Sequence, residues 1–150
     1  MQNTHNLESL GAALVELMSF LAAPQRDDVL LREARVEIDR ALFPLLVQIG
    51  RAGALGVADL ADRVGRDHTT VSRQLAKLEN DGFVVRRAGA EDKRRNAASL
   101  TRKGTKIVAA ITGARRRLLG KALVDWSAAD IAALAALNKR FAESLRAFAG

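Results

Sequence analysis

Between residues 57 and 82 the apolar side chains follow a helical spacing that is interrupted once, at a glycine. The first run is short and consists of Val57, Leu60 and Val64. Gly65 comes directly after it and permits the positive φ of a sharp turn. Asp67 is a favourable N-cap for a second helix, which we expect to run to about Asp81 and to stop at Gly82. The pattern therefore predicts two short helices joined by a tight turn, a helix-turn-helix.

The two faces of the second predicted helix differ in chemistry. Its inward face has the spacing i, i+4 and i+7 and contains Val71, Leu75 and Leu78. Its outward faces contain His68, Thr69, Ser72, Arg73, Ala76 and Lys77. An α-helix fits the ~12 Å major groove of B-DNA, where short polar and forked cationic side chains such as Thr, Ser and Arg read the base edges. The outward residues therefore predict a DNA-recognition helix.

A β-hairpin is predicted directly after this helix, with strands at residues 83–87 and 96–100. Its tip contains Gly89 and a charged run that includes Lys93, Arg94 and Arg95. Such a projection can lie along the minor groove, whose negative potential attracts arginine. Asp92, two residues before Arg94, can orient that guanidinium through a charge-assisted hydrogen bond. Helices and hairpin together predict a winged helix-turn-helix.

The basic residues are concentrated in this part of the chain. Residues 63–106 contain 12 basic and 5 acidic side chains, which account for the full net charge of +7 of the 150-residue protein. This concentration favours a polyanionic partner over an ordinary solvated surface. The complete absence of cysteine excludes disulfides, thiolate metal sites and thiol redox switches. With only His5 and His68, we expect no transition-metal site and no cofactor.

Further helices are predicted on both sides of the basic segment. The N-terminal helix has an apolar stripe from Leu7 to Leu21, a cap at Thr4 or Asn6, and its end at Pro24. A short helical piece follows at residues 29–35. Asp39 is expected to cap the next helix, which Gly50 and Gly53 close. After the hairpin, Thr101 is expected to cap a helix over 102–121, and Ser127 with Asp130 resembles a capping box for a helix over 128–149.

The first and last of these helices are candidates for dimerisation. The last helix has apolar residues at alternating spacings of three and four, with one polar member: Ile131, Leu134, Asn138, Phe141, Leu145 and Phe148. The first contributes Leu10, Leu14 and Leu17. Packing within one subunit is the alternative, because most amphipathic helices do that. We expect a single 150-residue unit that is mostly α with a small β-hairpin, with the winged core at 39–106 and dimerisation helices at 4–24 and 107–150.

Several segments of the sequence resemble the MarR family of bacterial transcription regulators. The stretch VADLADRVG at 57–65 resembles the first helix and turn of that family, and HTTVSRQL at 68–75 resembles its recognition helix. LENDGFV at 78–84 resembles the entry into its wing, and DKRR at 92–95 followed by SLT and Gly104 resembles its wing signature. These matches extend over roughly residues 39–106 and are specific in combination.

Glu8 and Glu16 interrupt the apolar first 22 residues, and no stretch approaches the ~18 uninterrupted apolar residues of a membrane span, so we expect a cytoplasmic protein. The resemblance implies a homodimer that binds pseudo-palindromic DNA, usually as a repressor, and releases it when a small molecule or an oxidant intervenes. It implies that Thr69, Thr70, Ser72 and Arg73 read the major groove, and that Arg94 enters the minor groove with Asp92 orienting it. His68, Lys77, Lys93 and Arg95 complete the expected DNA-binding set. The effector would occupy a crevice between the dimerisation helices and the winged core, with Trp126, Phe20 and Arg51 as candidate lining residues.

Two other classes of function are alternatives to this one. Asp67, His68 and Ser72 nominally supply a hydrolase triad, but consecutive Asp and His side chains point in different directions and no nucleophile elbow is present in the sequence. We therefore expect no enzymatic activity. The second alternative is a winged module that binds DNA or protein without sequence preference.

Overall fold

The computed structural model describes residues 2–86 and 97–150 and divides the chain into two compact units, residues 1–115 and 116–150. The described elements are, in chain order, α1 (Gln2–Ala22), α2 (Pro24–Ala34), α3 (Phe43–Ala52), α4 (Val57–Val64), α5 (His68–Asn80), β1 (Val84–Arg86), β2 (Ala98–Leu100), α6 (Arg102–Ala122) and α7 (Ala128–Ala149). The expected fold class, mostly α with a small β-hairpin, is confirmed.

The core of the first unit lies among α3, α4, α5 and the two strands. Its fully buried side chains include Leu45, Leu46, Ile49, Leu60, Val71, Leu75 and Leu78. The predicted inward face of α5 is therefore confirmed. Burial of these side chains, each of which contributes roughly 1.5–3 kcal/mol, fixes the orientation of α5, since the helix can bury this face only by turning its other face outward.

The sheet is antiparallel and follows the predicted hairpin. Val84 is paired with Leu100, Val85 with Ser99 and Arg86 with Ala98. Leu55, in the connection between α3 and α4, adds a bridge to Ala98 through hydrogen bonds of 3.1 and 2.8 Å. The helix-turn-helix and the hairpin are thereby joined through backbone hydrogen bonds. The predicted wing tip, with Asp92, Lys93, Arg94 and Arg95, lies outside the described residues.

Two predicted helix starts are wrong. Thr4 and Asn6 lie inside α1, which begins at Gln2. Asp39 does not cap α3: its side chain accepts from the Ala41 amide at 2.8 Å, and its carbonyl accepts from the amides of Leu42 and Phe43. Residues 39–42 therefore form a hydrogen-bonded turn, and α3 begins at Phe43.

The glycines at the end of α3 also differ from expectation. Gly50 lies inside the helix, and only Gly53 closes it, with φ +86°. A Cβ at Gly50 would meet Leu100 Cδ1 at 3.2 Å and Val108 Cγ1 at 3.3 Å. Gly50 therefore allows α3 to approach β2 and α6 closely.

The start of α6 is fixed by Thr101, as predicted. Its hydroxyl accepts from the Gly104 amide at 3.1 Å and donates to the Gly82 carbonyl at 2.6 Å. The Thr101 amide donates to the Phe83 carbonyl at 3.0 Å. The same residue therefore caps α6 and attaches it to the end of the segment that leads from α5 into β1.

In the second unit, α7 begins where the sequence predicts. The hydroxyl of Ser127 accepts from the Asp130 amide at 3.1 Å, and the helix runs to Ala149. Large apolar side chains of this helix are exposed in the single chain, with Phe148 at 90% and Leu145 at 50% of their accessible surface.

To cross a bilayer, a helix must be sufficiently long and apolar. No single helix among the described residues meets this requirement. Taken together, α1 and α2 meet it by length and composition, but the pair is bent by 58°.

Candidate nucleic-acid interface

The turn between α4 and α5 is built by three consecutive residues. Gly65 adopts the left-handed conformation with φ +66°, and its amide and that of Arg66 both donate to the Ala61 carbonyl. Asp67 is extended and caps α5. Ala61, in α4, is buried, and its small side chain allows the two helices to cross closely.

Asp67 holds Thr70 at two points. One carboxylate oxygen accepts from the Thr70 amide at 2.9 Å, and the other accepts from its hydroxyl at 2.6 Å. These hydrogen bonds, the hydroxyl bond foremost, lower the pKa of the Asp67 carboxyl below its ordinary value of 3.8. Because the Thr70 hydroxyl proton is donated to Asp67, its oxygen is left as an acceptor. Asp67 thus orients Thr70 and not the imidazole of His68.

The outward residues of α5 form one polar surface, although their exposure differs. His68, Thr69, Arg73 and Lys77 are exposed, while Thr70 and Ser72 are half-buried. Lys77 donates to Asp81 at 2.9 Å, four residues further along the helix. This surface borders a groove of about 600 Å³ between α5 and residues 37–42.

Two further residues, Arg66 and Gln74, belong to this surface although the sequence pattern did not indicate them. The Arg66 guanidinium nitrogen Nη1 donates to the Ala41 carbonyl at 2.5 Å and to Gln74 Oε1 at 2.9 Å. Gln74 lines the groove together with Thr70, Arg73 and Lys77. Thr70 and Gln74 are separated by four residues in a helix and therefore share a face, a spacing that could have indicated Gln74.

The base of the hairpin brings further cations close to α5. Arg86 Nε lies 4.0 Å from a Glu79 carboxylate oxygen. Lys103, in the first turn of α6, donates to the Asp81 carbonyl at 2.8 Å, and its ammonium lies 4.5 Å from the centre of the Phe83 ring. These contacts hold positive charge beside the C-terminal end of α5.

The predicted dimerisation residues are distributed over both units. In α1, Leu10 and Leu17 are exposed and Leu14 is half-buried. In α7, Phe141 is half-buried, whereas Ile131, Leu134, Asn138, Leu145 and Phe148 are exposed. The candidate effector residues Phe20 and Trp126 expose 53% and 45% of their surface, and the Arg26 guanidinium lies 3.9 Å from the centre of the Phe20 ring.

A capped helix with a buried apolar face and a polar outer face, followed by a two-stranded hairpin, defines the winged helix-turn-helix class. Comparison with known protein families indicates which member of that class the chain resembles. Residues 38–95 match the model of the MarR family. Over these residues the chain is similar to the MarR family.

One curated relative and two solved structures extend the comparison. The uncharacterized HTH-type transcriptional regulator YdgJ of Bacillus subtilis (strain 168) is 30% identical over 98 residues, which span 65% of this chain and 60% of the relative. A MarR family protein from Bacillus stearothermophilus has a TM-score of 0.73 at 23% identity and covers 93% of this chain and 97% of its own. A MarR family regulator from Listeria monocytogenes, solved with a 26mer DNA, has a TM-score of 0.64 at 22% identity, covering 93% and 87%.

Proposed function

We propose that this protein is a DNA-binding transcription regulator that binds a pseudo-palindromic operator as a homodimer. The observation that carries the proposal is the two-sided chemistry of α5. Its apolar side chains are fully buried, and its outer face presents Thr69, Thr70, Ser72 and Arg73, residue types that read base edges in the major groove.

Charge and similarity support the same function. The segment 63–106 contains the whole net positive charge and includes α5, the strands and the start of α6. Lys and Arg in this segment would neutralise DNA phosphates and release counterions. The Listeria monocytogenes protein, which has the same fold, was solved with DNA.

Dimerisation is supported by the exposed apolar residues of α1 and α7. Large side chains such as Leu17 and Leu145 remain about half exposed in the single chain. A two-fold dimer would place its recognition helices roughly 34 Å apart, one turn of DNA. Repression and release by a small molecule complete the proposal, and both follow from the family resemblance.

The test is selection of bound duplexes from a random DNA pool, followed by affinity measurements at several salt concentrations. We expect a single palindrome to be enriched, bound at least about a thousandfold more tightly than random duplex. The logarithm of its binding constant should fall steeply and linearly with the logarithm of the salt concentration. Comparable affinity for all duplexes would instead favour a winged module without sequence preference.

The predicted wing residues are tested separately. Arg94→Ala should weaken binding to every duplex to a similar extent, because its proposed contact is with the minor groove. Unchanged affinity in this variant would contradict the assignment of Arg94.

A further inference from the structure

The Arg66 side chain connects three parts of the winged core. It leaves the turn between α4 and α5 and donates both to the Ala41 carbonyl, before α3, and to Gln74 Oε1, halfway along α5. The backbone at Ala41 is itself held by the hydrogen bond from its amide to the Asp39 carboxylate. The guanidinium is therefore anchored at Ala41, and it donates its other hydrogen bond to Gln74.

The chemistry of this contact determines which way the Gln74 amide points. An arginine has only donors, so the group that faces it must be the amide oxygen and not the amide nitrogen. The nitrogen, on the other branch of the same planar group, is then turned away from Arg66. Gln74 lines the groove beside Thr70 and Arg73. Because its oxygen is used by Arg66, its nitrogen is the group that this side chain can offer there, as a hydrogen-bond donor.

We infer that Arg66 is a positioning residue that makes Gln74 a donor in base recognition. A free glutamine reads adenine with both groups, because its oxygen accepts from N6 and its nitrogen donates to N7. A glutamine whose oxygen is committed to Arg66 has only its donor left, so it favours bases that present acceptors alone, which are guanine with O6 and N7 and thymine with O4. Adenine is disfavoured because its N6 donor, beside the N7 acceptor, would find no acceptor on such a glutamine. This inference rests on the proposed function, and it adds a specificity-determining residue that the sequence did not reveal.

The experiment compares the DNA sequences that four proteins select from the same random pool: the wild type, Arg66→Met, Gln74→Met and Gln74→Glu. Wild-type protein should select guanine or thymine at one position of each half-site. Gln74→Met should lose that preference by roughly tenfold. Arg66→Met should admit adenine at that same position, because the amide is free to rotate.

Gln74→Glu provides a variant that keeps the contact with Arg66. Its carboxylate forms a charge-assisted pair with the guanidinium and has only acceptors to present, so the selected base should change to cytosine, whose N4 is a donor. Thermal unfolding followed by circular dichroism verifies that each variant is folded. A residue with a merely structural role would change the melting temperature without changing the selected base.

Three results would overturn the inference. The first is that Gln74→Met selects the same bases as the wild type, and the second is that Gln74→Glu does so. The third is that Arg66→Met selects the same bases as the wild type although Gln74→Met does not. Failure of the proposed function itself has a different signature, because the wild-type protein would then enrich no sequence.

Discussion

At the scale of single residues, Asp67 joins the stability of α5 to the chemistry of its outer face. Asp67→Ala removes both hydrogen bonds to Thr70, so we expect a lower midpoint of thermal unfolding. Asp67→Asn keeps an acceptor at the cap, so its midpoint of thermal unfolding should fall less. Circular dichroism melting of the two variants beside the wild type checks this order, and an unchanged midpoint for Asp67→Ala would contradict it.

The same carboxylate predicts a pH dependence. Hydrogen bonds from Thr70 lower the pKa of Asp67 in the folded protein, so its contribution to stability is present above the ordinary value of 3.8 and is lost as pH falls through the lowered pKa. The advantage of the wild type over Asp67→Asn should therefore shrink between about pH 6 and pH 2. Urea unfolding of both proteins across this range measures the difference. A constant difference would show that the ionised form of Asp67 is not favoured in the folded state.

Gly104 is constrained by space. A Cβ at this position would overlap with the carbonyl oxygen of Phe83, which already accepts from the Thr101 amide. Gly104→Ala should therefore lower the free energy of unfolding by roughly 1–3 kcal/mol. Gly120→Ala is the matched control in the same helix, because its Cβ would meet nothing within 4 Å. Denaturant titration measures both, and the prediction fails if the two variants have equal stability.

At the scale of elements, the helices with unambiguous end signals could be predicted from the sequence. Gly65 and Asp67 mark the turn between α4 and α5, and Thr101 and Ser127 mark the starts of α6 and α7. Asp67, Thr101 and Ser127 each accept from a backbone amide three residues further on, and Gly65 supplies the positive φ of the turn, so every one of these signals is local.

The helix starts that the sequence misplaced lacked such a decisive local signal. Asp39 bonds to Ala41, two residues on, and thereby stabilises a turn in place of a helix. Thr4 and Asn6 are tolerated within α1, because a preference for caps does not prevent a residue from adopting helical geometry. α2 begins at Pro24, which the sequence indicated as the end of α1 but not as a new first turn.

The contact between Arg66 and Gln74 was beyond sequence reasoning for another reason. Arg66 reaches an acceptor 25 residues earlier and one 8 residues later. Both contacts require the packing of α3 against the helix-turn-helix to be known. Local patterns identify the polar outer face of α5 but not the hydrogen bonds that orient its side chains.

Arg73 is the cation of α5 that we propose as a base-reading residue. It is exposed in the first half of the helix, on the groove side, whereas Lys77 is paired with Asp81. Arg73→Ala should weaken binding to the selected palindrome by about 1–3 kcal/mol and relax base preference at one position. Lys139→Ala, in the exposed part of α7, removes one positive charge elsewhere and serves as the control. Fluorescence anisotropy with the palindrome and a random duplex measures both effects, and equal losses in the two variants would contradict base reading by Arg73.

At the scale of the whole molecule, charge and apolar surface are separated along the chain. The net charge of +7 lies within residues 63–106, while the remainder has equal numbers of basic and acidic side chains. Exposed leucines and phenylalanines of the described residues lie instead outside this segment, and most of them are in α1 and α7. The separation matches the proposed division between a surface that binds DNA and a surface that associates with a second copy, because phosphate attracts the first surface and water disfavours exposure of the second.

The last prediction concerns the proposed dimer. Replacing Leu134 and Leu145 together by Glu places two carboxylates in the proposed seam, where burial without partners costs far more than the lost apolar contact. We expect the dimer to dissociate, as measured by sedimentation equilibrium. Binding to the palindrome should weaken by more than about a hundredfold, because two half-sites are no longer bound together.

Ala136→Glu is the matched control, since Ala136 is exposed and lies two residues from Leu134, on a different side of α7. A double variant that remains dimeric, or a control that dissociates equally, would show that the seam lies elsewhere.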